Sequence, residues 1–198
     1  ESIDNINGNI LNYEEIDNDL LDKIEKITIN KEEKNDIKAF IPNKEGFYEV
    51  EIIFKEKIKN CRKMFMNNEC LYSIDFSFFD SNEITDLSGM FQNCKNLYKI
   101  DLSNKDMINL ENIEFMCYRC INLREINLNG LKTNKLKNIS FFLYGCLNLK
   151  SIDISSFNLN KVTNMDYMFA YCLKLENITL PKSIDNAETT FSMEELFV

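Results

Sequence analysis

Four cysteines recur at intervals of 26 residues: Cys94, Cys120, Cys146 and Cys172. If the repeating segments stack, neighbouring members would lie about 5 Å apart, within disulfide reach. All four belong to an apolar stripe, however, where a free cysteine behaves as a small hydrophobic side chain. Cys117 and Cys120 form one C-x-x-C, which without a second pair or a histidine is a weak metal signal. We interpret the set as structural thiols, with disulfides or a metal site as the alternative.

The chain has no histidine and a net charge of −9. Ser-His-Asp triads, Cys-His pairs and histidine-ligated metal sites are therefore excluded. Nucleic acids and anionic membranes attract a surplus of Lys and Arg, so the charge argues against both as partners. No apolar run approaches the roughly 18 residues that span a bilayer. We predict a protein that is not an enzyme, with no catalytic residues, no metal, no cofactor and another protein as its partner.

Carboxylates share the 26-residue spacing, at Asp75, Asp101 and Asp153, with Asn127 in the position between the last two. An oxygen-rich ladder suits calcium, but no loop with the spacing of a calcium site is present. Like charges directly opposite each other in a sheet repel. We therefore expect Lys99, water or a basic partner to compensate Asp75 and Asp101.

These residues belong to a repeat of 26 residues that runs without a gap through five turns, from about residue 58 to residue 187. A unit of this length cannot bury its apolar face alone, so neighbouring units must stack. Six apolar columns define the repeat. They are Ile58, Ile84, Leu110, Leu136 and Val162; Cys61, Leu87, Ile113, Ile139 and Met165; Phe65, Phe91, Cys117, Leu143 and Phe169; Leu71, Leu97, Leu123, Leu149 and Leu175; Ile74, Ile100, Ile126, Ile152 and Ile178; and Phe76, Leu102, Leu128, Ile154 and Leu180.

Two periodicities alternate within each turn. In the second turn, residues 84 to 94 carry apolar side chains at helical spacing, which predicts a short helix. Ile100 and Leu102 then alternate with polar residues, which predicts a half-buried strand. Stacked strands should form a parallel sheet with about 4.8 Å between turns.

The segments "LYKIDL" (97–102), "LKSIDI" (149–154) and "VTNMDYMFAYCLKLENITL" (162–180) resemble BspA-like leucine-rich repeats of mycoplasma-type surface proteins, which also occur in protists. The resemblance implies an α/β leucine-rich-repeat solenoid that binds other molecules at a cell surface, in some members host proteins. The sequence departs from the family pattern at Cys117 and at Phe142-Leu143. The frequent Asn, Lys and Ile suggest a protist source.

The ends differ from the repeats. Residues 1–57 are predicted to form an N-terminal β-rich cap, with helical spacing from Tyr13 to Ile24 and strands within 26–30 and 47–54. Residues 188–198 are a tail or partial cap, in which Phe191, Met193, Leu196 and Phe197 are candidates for a lid. Residue 1 is Glu rather than Met, so we expect a processed product or a fragment.

The exposed strand positions of domain 58–187 form the predicted partner-binding face, on the concave side of the sheet. Its residues are Tyr72, Asp75, Tyr98, Lys99, Asp101, Ser103, Arg124, Glu125, Asn127, Lys150 and Asp153. The predicted function is non-catalytic protein binding or scaffolding; the alternatives are a cell-surface adhesin and a structural subunit of a larger assembly. The resemblance places the protein at the cell surface, whereas an odd number of cysteines, seven, favours a reducing compartment.

Overall fold

A computed structural model describes residues 10, 11, 16, 18–33, 47–182 and 197. The first elements are α1 (Asn18–Asp22), β1 (Ile24–Ile29), β2 (Glu32–Glu33) and β3 (Val50–Phe54). The three strands form an antiparallel sheet in the order β2-β1-β3.

The helix predicted to reach Ile24 is shorter than its apolar spacing suggested, because Ile24 is the first residue of β1 and pairs with Phe54. Tyr13, at the other end of that prediction, lies outside the described residues. The strands predicted within 26–30 and 47–54 are confirmed as β1 and β3.

The repeats supply five three-residue strands. They are β4 (Ser73–Asp75), β5 (Lys99–Asp101), β6 (Glu125–Asn127), β7 (Ser151–Asp153) and β8 (Asn177–Thr179). Strands β4, β5 and β6 form one parallel sheet and β7 and β8 a second, and paired residues are 26 apart, as Ile74 and Ile100 are. The predicted parallel register is therefore confirmed within each sheet.

A second ladder joins all five turns on another side of the stack. Its members are Asn60, Asp86, Asn112, Asn138 and Asn164, each bridged in parallel to the next. Each side-chain oxygen also accepts a hydrogen bond from the backbone N–H two residues later, at 2.7 to 3.0 Å. This recurring Asx turn fixes the chain direction after the bridge. We call these five residues the Asx column.

The short helix predicted in each turn is wrong for residues 84–94 and their equivalents in the other four turns, which form consecutive tight turns. Every second N–H bonds within its own turn, as from Met90 to the Leu87 carbonyl at 3.1 Å. The alternate N–H groups bond to the next turn, as from Gly89 to the Glu114 carbonyl at 2.8 Å. N–H groups that a helix would satisfy internally thus donate to carbonyls of the next turn, 25 residues further along the chain.

This alternation requires left-handed backbone at two positions of every turn. The first left-handed column is Lys63, Gly89, Phe115, Phe141 and Tyr167, with φ between 55° and 62°. The second left-handed column is Asn67, Asn93, Arg119, Gly145 and Tyr171, with φ between 56° and 73°. We call the surface that carries the two columns the turn face.

The core follows the predicted apolar columns. All members of the columns that begin with Ile58, Cys61 and Phe65 are buried. The other three columns are buried in the second to fourth turns and only half-buried at some end positions, such as Leu71 and Ile178. One apolar core therefore runs through the stack and continues into β1, through Ile27 and Ile29.

Of the candidate lid residues, Phe197 alone is described, and its ring centroid lies 5.8 Å from that of Phe169. The lid stays a prediction. Phe191, Met193 and Leu196 lie outside the described residues. The domain boundaries at residues 57 and 187 stay predictions.

Candidate partner-binding face

The exposed side of the first parallel sheet carries a column of aromatic and guanidinium groups. The rings of Tyr72 and Tyr98 are stacked, with centroids 5.4 Å apart, and the Arg124 guanidinium lies 5.6 Å from the Tyr98 centroid. Tyr72 is 44% exposed. These three residues occupy one repeat position in successive turns, so stacking of the turns holds them in line.

Phe47 extends this column, although the sequence analysis did not find it. Its ring centroid lies 5.2 Å from that of Tyr72, and its side chain is 83% exposed. Phe47 precedes the repeats, so no repeat position identifies it. An exposed phenylalanine held against a tyrosine is a typical contact residue in interfaces.

Lys99 and Glu125 lie beside the column on paired strands and form an exposed salt bridge of 3.4 Å. An exposed pair of this kind contributes at most about 1 kcal/mol to stability, so it is available for exchange with a partner's charges.

The aspartates of the ladder have a structural role that the sequence analysis did not assign. Asp101 accepts hydrogen bonds from the backbone N–H and the hydroxyl of Ser103, at 2.9 and 2.7 Å. Asp75 accepts the same two bonds from Ser77. Each carboxylate thus closes the turn that follows its strand.

These hydrogen bonds, first that of the hydroxyl and then that of the N–H, lower the pKa of Asp75 and of Asp101. The Asn127 amide also donates to Asp101, at 3.2 Å, and Lys99 adds a smaller attraction. Compensation of the adjacent carboxylates is therefore mainly internal. Lys99 contributes at Asp101 as expected, and Lys105 takes that role at Asp75.

The structure separates the predicted site residues into two groups. Nine of the eleven lie on or next to β4, β5 and β6. Lys150 and Asp153 lie at β7, in the second sheet, and Asp153 again caps its own turn through the Ser155 N–H at 2.8 Å. We define the sheet face as Phe47, Tyr72, Tyr98, Lys99, Arg124 and Glu125.

The thiols are packed as core side chains. Cys94, Cys120 and Cys146 are buried, Cys172 is half-buried, and all seven cysteines are free. Each of the four thiols donates to a backbone carbonyl 29 residues earlier, at 2.9 to 3.2 Å. Burial raises the pKa of Cys172 to about 11. A thiol with a raised pKa is mostly protonated near neutral pH, so it is a poor nucleophile.

Among the residues that the structure describes, no group of three or more Cys, Asp or Glu side chains is arranged to hold one metal ion. None of the helices in those ranges has the length and apolar character needed to cross a membrane.

A second cluster of aromatic residues, also missed, lies on the turn face, and its members are half-buried except for the exposed Tyr167. Phe115, Phe141 and Tyr167 stack at 4.7 and 5.0 Å between centroids. Tyr118 and Tyr144 stack beside them at 4.8 Å. We call these five residues the aromatic cluster. Its signal in the sequence is three aromatic residues spaced by 26 at a position outside the apolar columns.

The family model for the BspA type leucine rich repeat region matches the chain with six copies, over residues 19–142 and 88–195. The match begins within the segment predicted as the N-terminal cap and counts one copy more than the five turns in the sequence analysis. Searches of curated proteins and of solved structures found no match. Leucine-rich repeats are generally non-catalytic and mediate protein interactions. Because the match covers most of the 198 residues, the chain belongs to the BspA-type leucine-rich repeat family.

Proposed function

We propose that this chain is a non-catalytic leucine-rich-repeat solenoid that binds or scaffolds another protein through the sheet face. The observation that carries the proposal is the exposed column of Phe47, Tyr72, Tyr98 and Arg124. Tyrosine and arginine are enriched among the residues that dominate binding energy in interfaces. Because the stack already fixes these side chains, binding loses less conformational entropy.

The surroundings of the column fit a protein partner. The Lys99–Glu125 pair provides one charge of each sign beside the aromatic residues. An apolar centre with polar groups at its rim is the usual anatomy of a protein interface. The carboxylates nearby are occupied in turn formation, which argues against catalysis at this face.

The adhesin and assembly-subunit alternatives differ from this proposal in location and partner rather than in fold. Two Asn-x-Ser/Thr sequons bear on the adhesin. Asn138 is half-buried in the Asx column, where a glycan would disrupt the turn, whereas Asn177 is exposed. A glycan found at Asn177 on protein from the native source would support the adhesin.

The test is a pull-down from the native source with the full chain, its Arg124→Ala variant and a Lys161→Ala control. Lys161 is exposed outside the strands, so both variants lose one positive charge. Loss of a central contact costs about 2 kcal/mol, or roughly thirtyfold in Kd. We expect Arg124→Ala to lose the partner and Lys161→Ala to retain it. Equal retention by both variants would exclude the sheet face.

A further inference from the structure

We propose that the turn face carries a second binding site, a groove that takes an acidic peptide segment in extended conformation. The groove has a volume of about 700 Å³. It is lined by Asn67, Glu69, Asn93, Lys95, Arg119, Ile121, Tyr144, Gly145, Leu147 and Tyr171. None of these residues belongs to the sheet face, so this site is independent of the one proposed above.

The length of the groove fits an extended chain. Its lining includes the whole second left-handed column, one residue from each of the five turns. At about 4.8 Å between turns the column is about 19 Å long, the length of an extended peptide of about six residues. The groove therefore has the length of an extended segment of about six residues.

The charge of the groove favours an acidic ligand. Lys95 pairs with Glu69 along one side. The Arg119 guanidinium lies 5.3 Å from the Tyr118 ring centroid and has no carboxylate partner among the described residues. The groove thus has one unneutralised positive charge in a chain of net charge −9. A guanidinium over an aromatic ring with its donors free binds carboxylates in bidentate geometry.

The remaining lining residues suit the backbone and apolar side chains of a peptide. The side-chain amide of Asn93 donates to Oδ1 of Asn67 at 2.9 Å, which leaves the side-chain N–H groups of Asn67 and Oδ1 of Asn93 available to a peptide backbone. Leu147 and Tyr171 provide apolar surface, and Tyr171 is 59% exposed. Gly145 keeps the floor open, since a Cβ there would lie 3.3 Å from Cγ of Arg119.

The backbone gives a separate reason to assign a function to Arg119 and Tyr171. Both adopt left-handed backbone, with φ of 56° and 58°, in a column whose other members are Asn and Gly. Asn and Gly tolerate this conformation, whereas other side chains cost on the order of 1 kcal/mol or more there. Arg119 and Tyr171, which contribute the positive charge and the exposed ring of the groove, therefore each lower the stability of the fold through their backbone conformation.

The test is a display library of random hexapeptides selected on the full chain. We expect enrichment of peptides that combine Asp or Glu with aliphatic residues. For a selected peptide, Arg119→Gln should weaken binding at least about tenfold, because a hydrogen bond to a charged group is lost. Raising the salt concentration should weaken binding to the wild type more than to the variant.

The matched control is Arg124→Gln on the sheet face. It removes the same charge and a similar contact with a tyrosine ring, at 5.6 Å. Arg124→Gln should leave peptide binding unchanged. Peptide binding thus tests the groove alone, whereas the pull-down tests the sheet face, so failure of either proposal is recognised separately. Selection of no peptide, selection of peptides without acidic residues, or equal binding by wild type and Arg119→Gln would overturn the proposal. Self-association that Arg119→Gln abolishes, without peptide enrichment, would instead assign the groove to a second copy.

Discussion

Replacing Phe141 by glycine will destabilise the protein less than replacing it by alanine. Phe141 has φ of 55°, in the left-handed region. For alanine the left-handed conformation costs roughly 1–2 kcal/mol, because its Cβ approaches the following carbonyl oxygen. Glycine has no Cβ and avoids this cost. In the helix that the apolar spacing predicted, the order would be reversed, since glycine costs roughly 1 kcal/mol more than alanine in a helix interior. The sign of the difference therefore reports the backbone conformation.

Both variants lose the same ring contacts. The Phe141 ring stacks between Phe115 and Tyr167, at 4.7 and 5.0 Å. Each aromatic pair contributes about 0.5–1.5 kcal/mol beyond the buried area. A half-buried phenylalanine loses less than the roughly 3–5 kcal/mol of a fully buried one. We expect a loss of about 3 kcal/mol for Phe141→Ala and about 2 kcal/mol for Phe141→Gly.

Urea unfolding followed by circular dichroism measures both values, and equal slopes would show that the unfolded states are comparable. Tyr144 is the control, because it stacks in the same cluster but lacks positive φ, and Ala170 occupies the same position one turn later. At Tyr144 the alanine variant should be the more stable by about 0.5–1 kcal/mol. If alanine is the better residue at 141 as well, the left-handed column is not as described and the helix prediction regains support.

Three other predictions test the ladder, the core and the thiols. Asp101 has a lowered pKa, so its contribution to stability is complete above the unfolded-state pKa and disappears as pH falls through the folded-state value. The next turn already has Asn at the equivalent position, Asn127, so Asp101→Asn should keep the turn at pH 7. In acid titrations below about pH 4 this variant should lose less stability than the wild type. Phe91→Ala should cost about 3–5 kcal/mol in urea unfolding, since Phe91 is fully buried, whereas Phe78→Ala, at a side chain 100% exposed, should cost less than about 0.5 kcal/mol. A thiol reagent should label Cys70 alone in a fast phase, because it is the one exposed cysteine of the seven, and Cys70→Ser should remove that phase.

The 26-residue period of the sequence predicts both the register of the strands and the columns of buried residues. A gapless spacing of 26 residues assigns every residue a neighbour in the next turn, so the register of Ile74 with Ile100 follows without knowledge of the turn geometry. The same spacing identifies the buried columns, since a position that is apolar in all five turns faces the core.

The helix prediction failed for a physical reason. Consecutive tight turns, like a helix, return the chain to the same side every three or four residues, so Leu87, Met90, Phe91 and Cys94 fit both structures. The Asx column was the signal that distinguishes them. An Asn or Asp at the same position in all five turns, beside Gly89, Asn93 or Gly145, indicates turns with left-handed backbone rather than a helix interior.

The turn face was missed because its side chains vary from turn to turn while its backbone does not. The first left-handed column changes from Lys63 and Gly89 to aromatic residues in the last three turns, and the backbone bonds between turns continue unchanged. Stacking of each ring on the next offsets part of the cost of the left-handed conformation, so aromatic residues in consecutive turns stabilise one another there. The aromatic cluster is therefore a cooperative unit, and Phe141, stacked on both sides, should be its most sensitive member. The groove beside it adjoins Tyr144 and Tyr171, so loss of the Phe141 ring should weaken peptide binding as well as stability.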